Sequence, residues 1–395
     1  MKVTLIGMGC GPETLTAEAS GALAEADLCV GAARLLGYLT ESDAARIAEY
    51  RPRAICALLE EKAPERACVL LSGDSGFYSG AAKLLPLLRG QGMEVRILPG
   101  VSSLQVLAAK LGRPWQDWLL RSAHGTACDP VPAVMQGRPS LFLTSGAEGP
   151  GDLCRALKEA GLGDLPVTVG EDLGQKSERI VRGTAAEFAG KEFTPLNLLL
   201  AEPAPRYPVR SPGIPDGEFL REQVPMTKQE VRAVILAKLA VGPEDVCWDV
   251  GAGTGSVSVE LSQHASAVYA VERNPDAATL IRRNRKRFCA WNLRLIEKEA
   301  PEALYELPKP DAVFIGGSGG HLEEILEAVC RANPEARICV SAIALETLQC
   351  AAETLQRLGL EAEVTQIGVS RTREAGPLHL LTAQNPVFLI TGVRR

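Results

Sequence analysis

Two short apolar runs in this chain each end in a glycine-rich loop, and they stand at matching places in its two halves. Val3-Thr4-Leu5-Ile6 leads into Gly7-Met8-Gly9-Cys10-Gly11, and Val246-Cys247-Trp248-Asp249-Val250 leads into Gly251-Ala252-Gly253-Thr254-Gly255. Without a Cβ, a glycine lets the backbone turn sharply and approach a ligand closely. A strand feeding such a turn and then a helix is how open α/β sheets present a nucleotide-like ligand. Two such entries predict two sites. At 395 residues the chain is also too long for one ordinary core.

The proline-dense stretch from Glu202 to Pro225 has little periodicity, and proline disfavours both helix and interior strand. It marks the expected division: a domain over 1–202, a linker over 203–225 and a second domain over 226–395. In the first half, apolar strands at Val3–Ile6, Asp27–Val30, Cys68–Ser72 and Glu94–Leu98 alternate with helix-like segments. Further strands are expected at Ser140–Thr144, Val167–Glu171 and Asn197–Ala201. The region around Trp115 and Trp118 separates two lobes. In the second half, Thr227-Lys228-Gln229-Glu230 reads as a capping box opening a helix through Leu239. Strands follow at Cys247–Val250, Ala267–Val271, Leu293–Ile296, Ala312–Ile315 and Ile338–Ser341, with helices at His321–Ala332 and Leu345–Leu358. The last segments, Glu361–Val369, His379–Thr382 and Pro386–Thr391, have no helix between them. The fold class is therefore α/β, its second domain a parallel sheet with an antiparallel final strand.

A hydrophobic fraction of 46% with 23% charge is that of a folded, soluble protein. The net charge of −6 argues against a nucleic-acid partner, while leaving room for a local basic pocket. None of the 11 cysteines form a Cys-x-x-Cys pair, which fits reduced thiols in a cytoplasmic protein and predicts no metal site. Met1-Lys2 leads straight into a strand, so no signal peptide is expected, and no apolar run is long enough for a membrane span.

The second loop departs from the dinucleotide fingerprint, because Ser256 or Ser258 stands where its third glycine belongs. No lysine follows it, as a phosphate-cradling Walker loop needs. Instead Asp249 precedes it and Glu272 ends the next strand about 20 residues on, where a carboxylate can accept both ribose hydroxyls. These features match the S-adenosylmethionine site of Rossmann-like methyltransferases. Gly316-Gly317-Ser318-Gly319-Gly320 ends the fourth strand and should border the reacting methyl. Arg282, Arg283, Arg285, Lys286 and Arg287 form a basic run whose first reading is a solvated helix face.

Thr227-Lys228, Asp249–Gly255, Glu299-Ala300-Pro301-Glu302 and Gly316–Gly320 resemble the decarboxylating precorrin methyltransferase family of cobalamin biosynthesis. The first half is similar to the tetrapyrrole methylase family, in its C5-methylating branch. Its matching segments are Gly7–Gly11, Ser72-Gly73-Asp74-Ser75-Gly76, Pro99-Gly100-Val101-Ser102-Ser103 and Ser122-Ala123-His124-Gly125. The two families occur fused in this order as C5,15-methyltransferases of precorrin-6B.

The resemblance implies a two-lobed tetrapyrrole methylase domain followed by a Rossmann-like methyltransferase domain, with one S-adenosylmethionine per domain. It implies methylation of precorrin-6B, or its cobalt form, at C5 and C15, with decarboxylation of the ring-C acetate. Cofactor contacts would fall on Gly9, Gly11, Pro12, Gly73, Asp74, Ser102 and Ser103 in the first half. In the second they would fall on Thr227, Gly251, Ala252, Gly253, Thr254, Gly255, Glu272, Glu299 and Ala300. Substrate would meet Gly316, Gly317, Gly319 and His321. His124, Asp74 and Ser318 are the candidate catalytic residues, beside blander readings of His124 as a buried core residue and Asp74 as a helix cap. The partner is a small tetrapyrrole, with no membrane and no nucleic acid, and related enzymes associate as homo-oligomers. A second reading keeps the methyl donor but gives the C-terminal half an RNA or protein substrate, with a sensing N-terminal half.

Overall fold

The computed structural model describes residues 1–39, 43–123, 127–144, 148–208 and 212–394. The chain divides into two compact units. One comprises Met1–Val134, Arg138–Lys158 and Gly163–Pro203; the other comprises Met135–Gly137, Glu159–Leu162 and Ala204–Arg395. Among the described residues no helix is long and apolar enough to cross a membrane.

The first unit holds two five-stranded sheets. Strands β1 (Lys2–Gly7), β2 (Leu28–Gly31), β3 (Ala45–Ala48), β4 (Arg66–Leu71) and β5 (Glu94–Leu98) form the first, in the order β3-β2-β4-β1-β5 and parallel throughout. Alternation along β1 sends Val3 and Leu5 to one apolar cluster and Ile6, with Met8 just beyond, to another, as a sheet buried on both faces requires. The second sheet contains β6 (Leu119–Ser122), β7 (Ser140–Thr144), β8 (Pro166–Glu171), β9 (Arg179–Thr184) and β10 (Asn197–Ala201), ordered β6-β7-β10-β8-β9. Only β6 and β7 are parallel in it. Strands β3, β6 and β9 are absent from the sequence reading. All three are sheet edges: β3 is mostly exposed, while β6 and β9 are partly buried and mix polar with apolar residues, so none carries a long apolar run.

The second unit is built on a seven-stranded sheet. Its members are β11 (Val246–Val250), β12 (Ala267–Val271), β13 (Leu293–Ile296), β14 (Ala312–Ile315), β15 (Arg337–Ala342), β16 (Glu361–Ile367) and β19 (Val387–Val393), in the order β13-β12-β11-β14-β15-β19-β16. The expected antiparallel final strand is β19, which runs against both β15 and β16. A separate hairpin of β17 (Ser370–Ala375) and β18 (Leu378–Ala383) lies between β16 and β19 in the chain. Residues of β14 alternate between two cores: Ala312 and Phe314 in one, Val313 and Ile315 in the other. On β11, Cys247 and Asp249 share the first face, so a carboxylate occupies a core position. Asp249 is fully buried; its Oδ2 accepts from the Ser258 hydroxyl, and its Oδ1 has no partner. Burial pushes this carboxyl up to about 7 against the pull of Ser258.

The described part of 203–225, expected as a linker, is a working piece of the second unit. Ile214, Phe219 and Met226 enter the same core as Val231, Ile235 and Phe288. The prolines forbid regular structure here, but the apolar side chains between them still have a core to fill. Arg232, fully buried on the helix Gln229–Leu239, holds the segment down. Its Nε donates to Glu260 Oε1 at 2.7 Å, its Nη1 to Asp216 Oδ1 at 2.9 Å and its Nη2 to the Ile214 carbonyl at 2.5 Å. Glu260 in turn accepts from the Gly213 and Ile214 amides.

The same network corrects the expected capping box. Lys228, not Thr227, is the N-cap, and no side chain of the cap residue bonds the helix start. Asp216 Oδ1 accepts the Gln229 amide at 2.9 Å, while Glu230 turns outward to pair with Arg371. A distant carboxylate positioned by Arg232 replaces the local cap.

Replacing Arg232 by Met should destabilise the second unit by about 3–5 kcal/mol in denaturant titration, since Glu260 is left buried and uncompensated. Adding Glu260→Gln to that variant should restore part of the loss; no restoration would show that the charge is not what matters. For Asp249 the folded carboxyl keeps its proton to about 7, above its ordinary value of 3.8, so its burial weakens the fold as pH rises through that window. Asp249→Asn lacks this charge, and its stability relative to the parent should improve by about 2–4 kcal/mol between pH 4 and 8. A constant difference across thermal melts at those pH values would contradict the assignment.

Candidate functional site

In the first unit, the tips of β1, β4 and β5 meet through backbone alone. A Cβ on Gly7 would lie 2.6 Å from the Gly100 nitrogen and 2.9 Å from the Gly73 carbonyl oxygen, so no side chain fits there. Gly9 and Gly73 exchange amide–carbonyl hydrogen bonds of 3.0 and 3.1 Å. Asp74 locks the turn: Oδ1 accepts the Gly76 amide at 2.9 Å and Oδ2 the Gly100 amide at 3.1 Å. Ser102 caps the helix Ser103–Leu111 in a reciprocal box with Gln105. A cavity of about 330 Å³ opens over these tips, bordered also by Thr144, Gly170 and Asn197 of the second sheet.

Gly9, Gly73, Asp74, Ser102 and Ser103 line that cavity, as expected of cofactor contacts. Gly11 and Pro12 do not. Gly11 is buried against the Gly174 carbonyl, 2.5 Å from where its Cβ would sit, and Pro12 is an exposed first residue of a 3₁₀ turn. Both shape the loop rather than the cavity wall. Asp74, expected to be catalytic, has both oxygens engaged by backbone amides, which makes it a brace. His124 lies outside the described residues. The wall also holds Cys10, which sits within the first glycine loop but was not among the expected contacts, and Arg34 and Gln175, which come from segments far apart in the chain. Burial pushes the Cys10 thiol up to about 11, so it stays protonated and donates to the Val101 carbonyl instead of acting as a nucleophile.

In the second unit, β11 has β12 on one side and β14 on the other, so the sheet's order reverses beside it, where open α/β sheets bind ligands. The loops beyond β11 and β14 touch: a Cβ on Gly251 would lie 2.7 Å from the Gly317 Cα. Glu272, at the end of β12, accepts the Gly253 amide on Oε2 and the Asn274 amide on Oε1, both at 2.8 Å. It fastens the glycine loop to the neighbouring strand while keeping lone pairs for further donors.

Two cavities flank this carboxylate, one of about 630 Å³ and one of about 220 Å³, and both are lined by Gly251 and Glu272. Thr227, Ala252, Gly253, Thr254 and Gly316 line the larger. Glu299, Ala300, Gly317, Ser318 and Gly319 line the smaller, where Arg273 pairs with Glu299. The larger is further walled by Lys228, which belongs to the Thr227-Lys228 motif, and by Val224, Pro225, Met226, Ile343 and Asn385, which the motifs did not mark. Gly255 and His321 line neither. Gly255 caps the helix Ser256–Ser262 with its Cβ position 3.0 Å from Ile281, and His321 begins the helix Leu322–Ala332, half exposed and facing Glu324. Asp249 is likewise no part of either wall; it stands behind the loop, bonded to Ser258. Within the basic run, Arg282 pairs with Glu297 and Arg283 with Glu222.

These residues fit an adenosyl-sulfonium ligand. The loop is cradled without side chains, a carboxylate lines both of two neighbouring spaces, and the buried Thr254 hydroxyl in the larger cavity's wall has no partner.

A family profile described as tetrapyrrole (corrin/porphyrin) methylases matches residues 2–189, and one described as a precorrin methyltransferase domain matches 218–394. A Sinorhizobium protein named precorrin-6Y C(5,15)-methyltransferase (decarboxylating) is 34% identical over 330 residues, 82% of this chain and 78% of that protein. A Pyrobaculum calidifontis protein named probable cobalt-precorrin-6B C(15)-methyltransferase (decarboxylating) is 45% identical over 190 residues, 47% of this chain and 97% of its own. The crystal structure of a precorrin-6Y C5,15-methyltransferase from Geobacter metallireducens GS-15 is 45% identical, covering 46% of this chain and 98% of that one, with a TM-score of 0.45. The chain belongs to the family of decarboxylating precorrin-6Y C5,15-methyltransferases, enzymes that use S-adenosylmethionine.

Proposed function

We propose that the first unit methylates C5 and the second methylates C15 of precorrin-6B or its cobalt form, the second also removing the ring-C acetate carboxylate. Each unit would hold its own S-adenosylmethionine. The activities would divide at the proline-dense segment, between 1–202 and 226–395. The observation that carries this reading is that each unit has its own glycine-cradled cavity at the carboxyl ends of parallel strands.

When bound, S-adenosylmethionine supplies a methyl group made electrophilic by its positive sulfur. The chain's part is chiefly to hold donor and ring carbon in line, which contributes up to roughly 7–11 kcal/mol. In the second unit, Glu272 would accept the ribose hydroxyls with its remaining lone pairs, and Lys298-Glu299-Ala300 would border the base in the smaller cavity. Thr227 and Gly251–Thr254 would face the amino-acid end, with Gly316 toward the tetrapyrrole in the larger cavity and the Gly317–Gly319 turn on the far side of the same loop, in the smaller one. In the first unit, Gly9, Gly73, Ser102 and Ser103 would form the donor's cradle, with Asp74 holding their loops in place. Among the described residues lining the cavities none is an activated nucleophile, in keeping with a ring carbon that is itself electron-rich.

The test uses the full chain with precorrin-6B, following methyl gain and loss of carbon dioxide by mass spectrometry. Glu272→Ala should slow C15 methylation and decarboxylation tenfold or more while leaving C5 methylation nearly intact. Asp74→Ala should do the reverse. If either variant abolished both methylations together, the division of labour would be wrong.

A further inference from the structure

The cavity of the first unit contains one feature its loops do not explain. Arg34, on the short helix Ala33–Leu36 after β2, is the only cation among the described residues lining it. Its guanidinium is held by neutral groups: Nη1 donates to the Tyr38 hydroxyl at 2.6 Å and Nη2 to the Ser72 hydroxyl at 3.0 Å. The Tyr38 oxygen also accepts from Gln175 Nε2 at 3.3 Å, so a second residue of the cavity wall helps fix the phenol that fixes the arginine.

No carboxylate among the described residues pairs with Arg34. Elsewhere in the unit arginines are spent on acids: Arg51 on Glu49, Arg66 on Glu25, Arg113 on Glu202, Arg179 on Glu171. The one acid among the described residues of the cavity wall, Asp74, braces the Gly76 and Gly100 amides and forms no ion pair with Arg34. Arg34 is thus an exposed but positioned guanidinium, set over the Tyr38 ring, with donors to spare and no carboxylate partner among the described residues, beside a space built to take a ligand. A guanidinium edge matches a carboxylate with two parallel hydrogen bonds.

We propose that Arg34 receives a carboxylate of the bound ligand, and that Tyr38 is its positioning residue. The proposal rests on reading this cavity as the C5 site. Two carboxylates could reach such a site, one on the tetrapyrrole and one on the amino-acid end of the methyl donor, and kinetics separate them.

In the full chain, Arg34→Gln should raise one Michaelis constant of C5 methylation by about ten- to a hundredfold, with a much smaller change in kcat. A rise for precorrin-6B assigns the carboxylate to the ring; a rise for S-adenosylmethionine assigns it to the donor. Arg34→Lys should recover part of the loss by keeping the charge without the fork, and Tyr38→Phe should shift the same constant less. If both constants stay within about twofold of the parent, the proposal is overturned. Should the parent itself fail to methylate C5, the reading of the unit falls, and titration with uroporphyrin and S-adenosylhomocysteine decides Arg34 alone. Weaker binding of either by Arg34→Gln upholds it; equal or no binding by parent and variant rejects it.

Discussion

A buried guanidinium organises the second unit. Arg232 has no solvent to neutralise it, so its charge is met by Glu260, by Asp216 and by carbonyl oxygens of Ile214 and Thr227. Burying an ion pair is costly, and the geometry must be good to offset that cost. Here the geometry has a positional product. Glu260 lies on a helix, Ser256–Ser262, whose residues are all buried, and that helix starts directly from the glycine loop. The irregular segment before Thr227 is drawn onto the same charge, so Pro225 comes to rest with its carbonyl oxygen 3.4 Å from where a Gly253 Cβ would be. The floor and the near wall of the larger cavity are therefore set by one side chain that holds them from behind and is itself no part of the lining.

The two units reach similar ends by the same economy. In each, strands of a parallel sheet end in loops whose backbones touch, Gly7 against Gly100 and Gly251 against Gly317, leaving no room for a methyl group. In each, one carboxylate then accepts two backbone amides at these tips: Asp74 ties its own turn to Gly100, and Glu272 ties its own turn to Gly253 of the glycine loop. Opposed amide dipoles at such tips would repel without an acceptor between them, and an ionised carboxylate is the strongest acceptor a side chain offers. An acid beside a glycine loop can thus serve architecture first and a ligand with what remains.

Interior strands were legible because a strand buried on both faces must be a near-continuous apolar run, as Val246–Val250 and Ala312–Ile315 are. The edges β3, β6 and β9 were not, because each has an unpaired flank and no fully buried side chain, so polar residues serve there as well as apolar ones. The proline-dense segment misled in a different way. Proline density reports the lack of regular hydrogen bonding, which a packed irregular segment and a free tether share, and only burial of Ile214 and Phe219 separates the two. The capping box failed for a related reason: a local pattern at Thr227–Glu230 lost to Asp216, an acceptor held in place by tertiary contacts.

What the amino-acid order determined by itself was the local and periodic part: two glycine-ended strands, an acid spaced for ribose, the α/β alternation, and motifs that place both halves among methyltransferases of tetrapyrrole chemistry. Those follow from backbone sterics and side-chain burial over short spans, which sequence encodes directly. Tertiary structure decided which motif residues face a cavity and which do not. It moved Gly11, Pro12, Gly255 and His321 out of the walls, turned Asp74 and Glu272 into braces, and brought Arg34, Tyr38 and Gln175 together from distant segments. Convergence of that kind depends on how strands pair and twist, a long-range property that no local spacing carries.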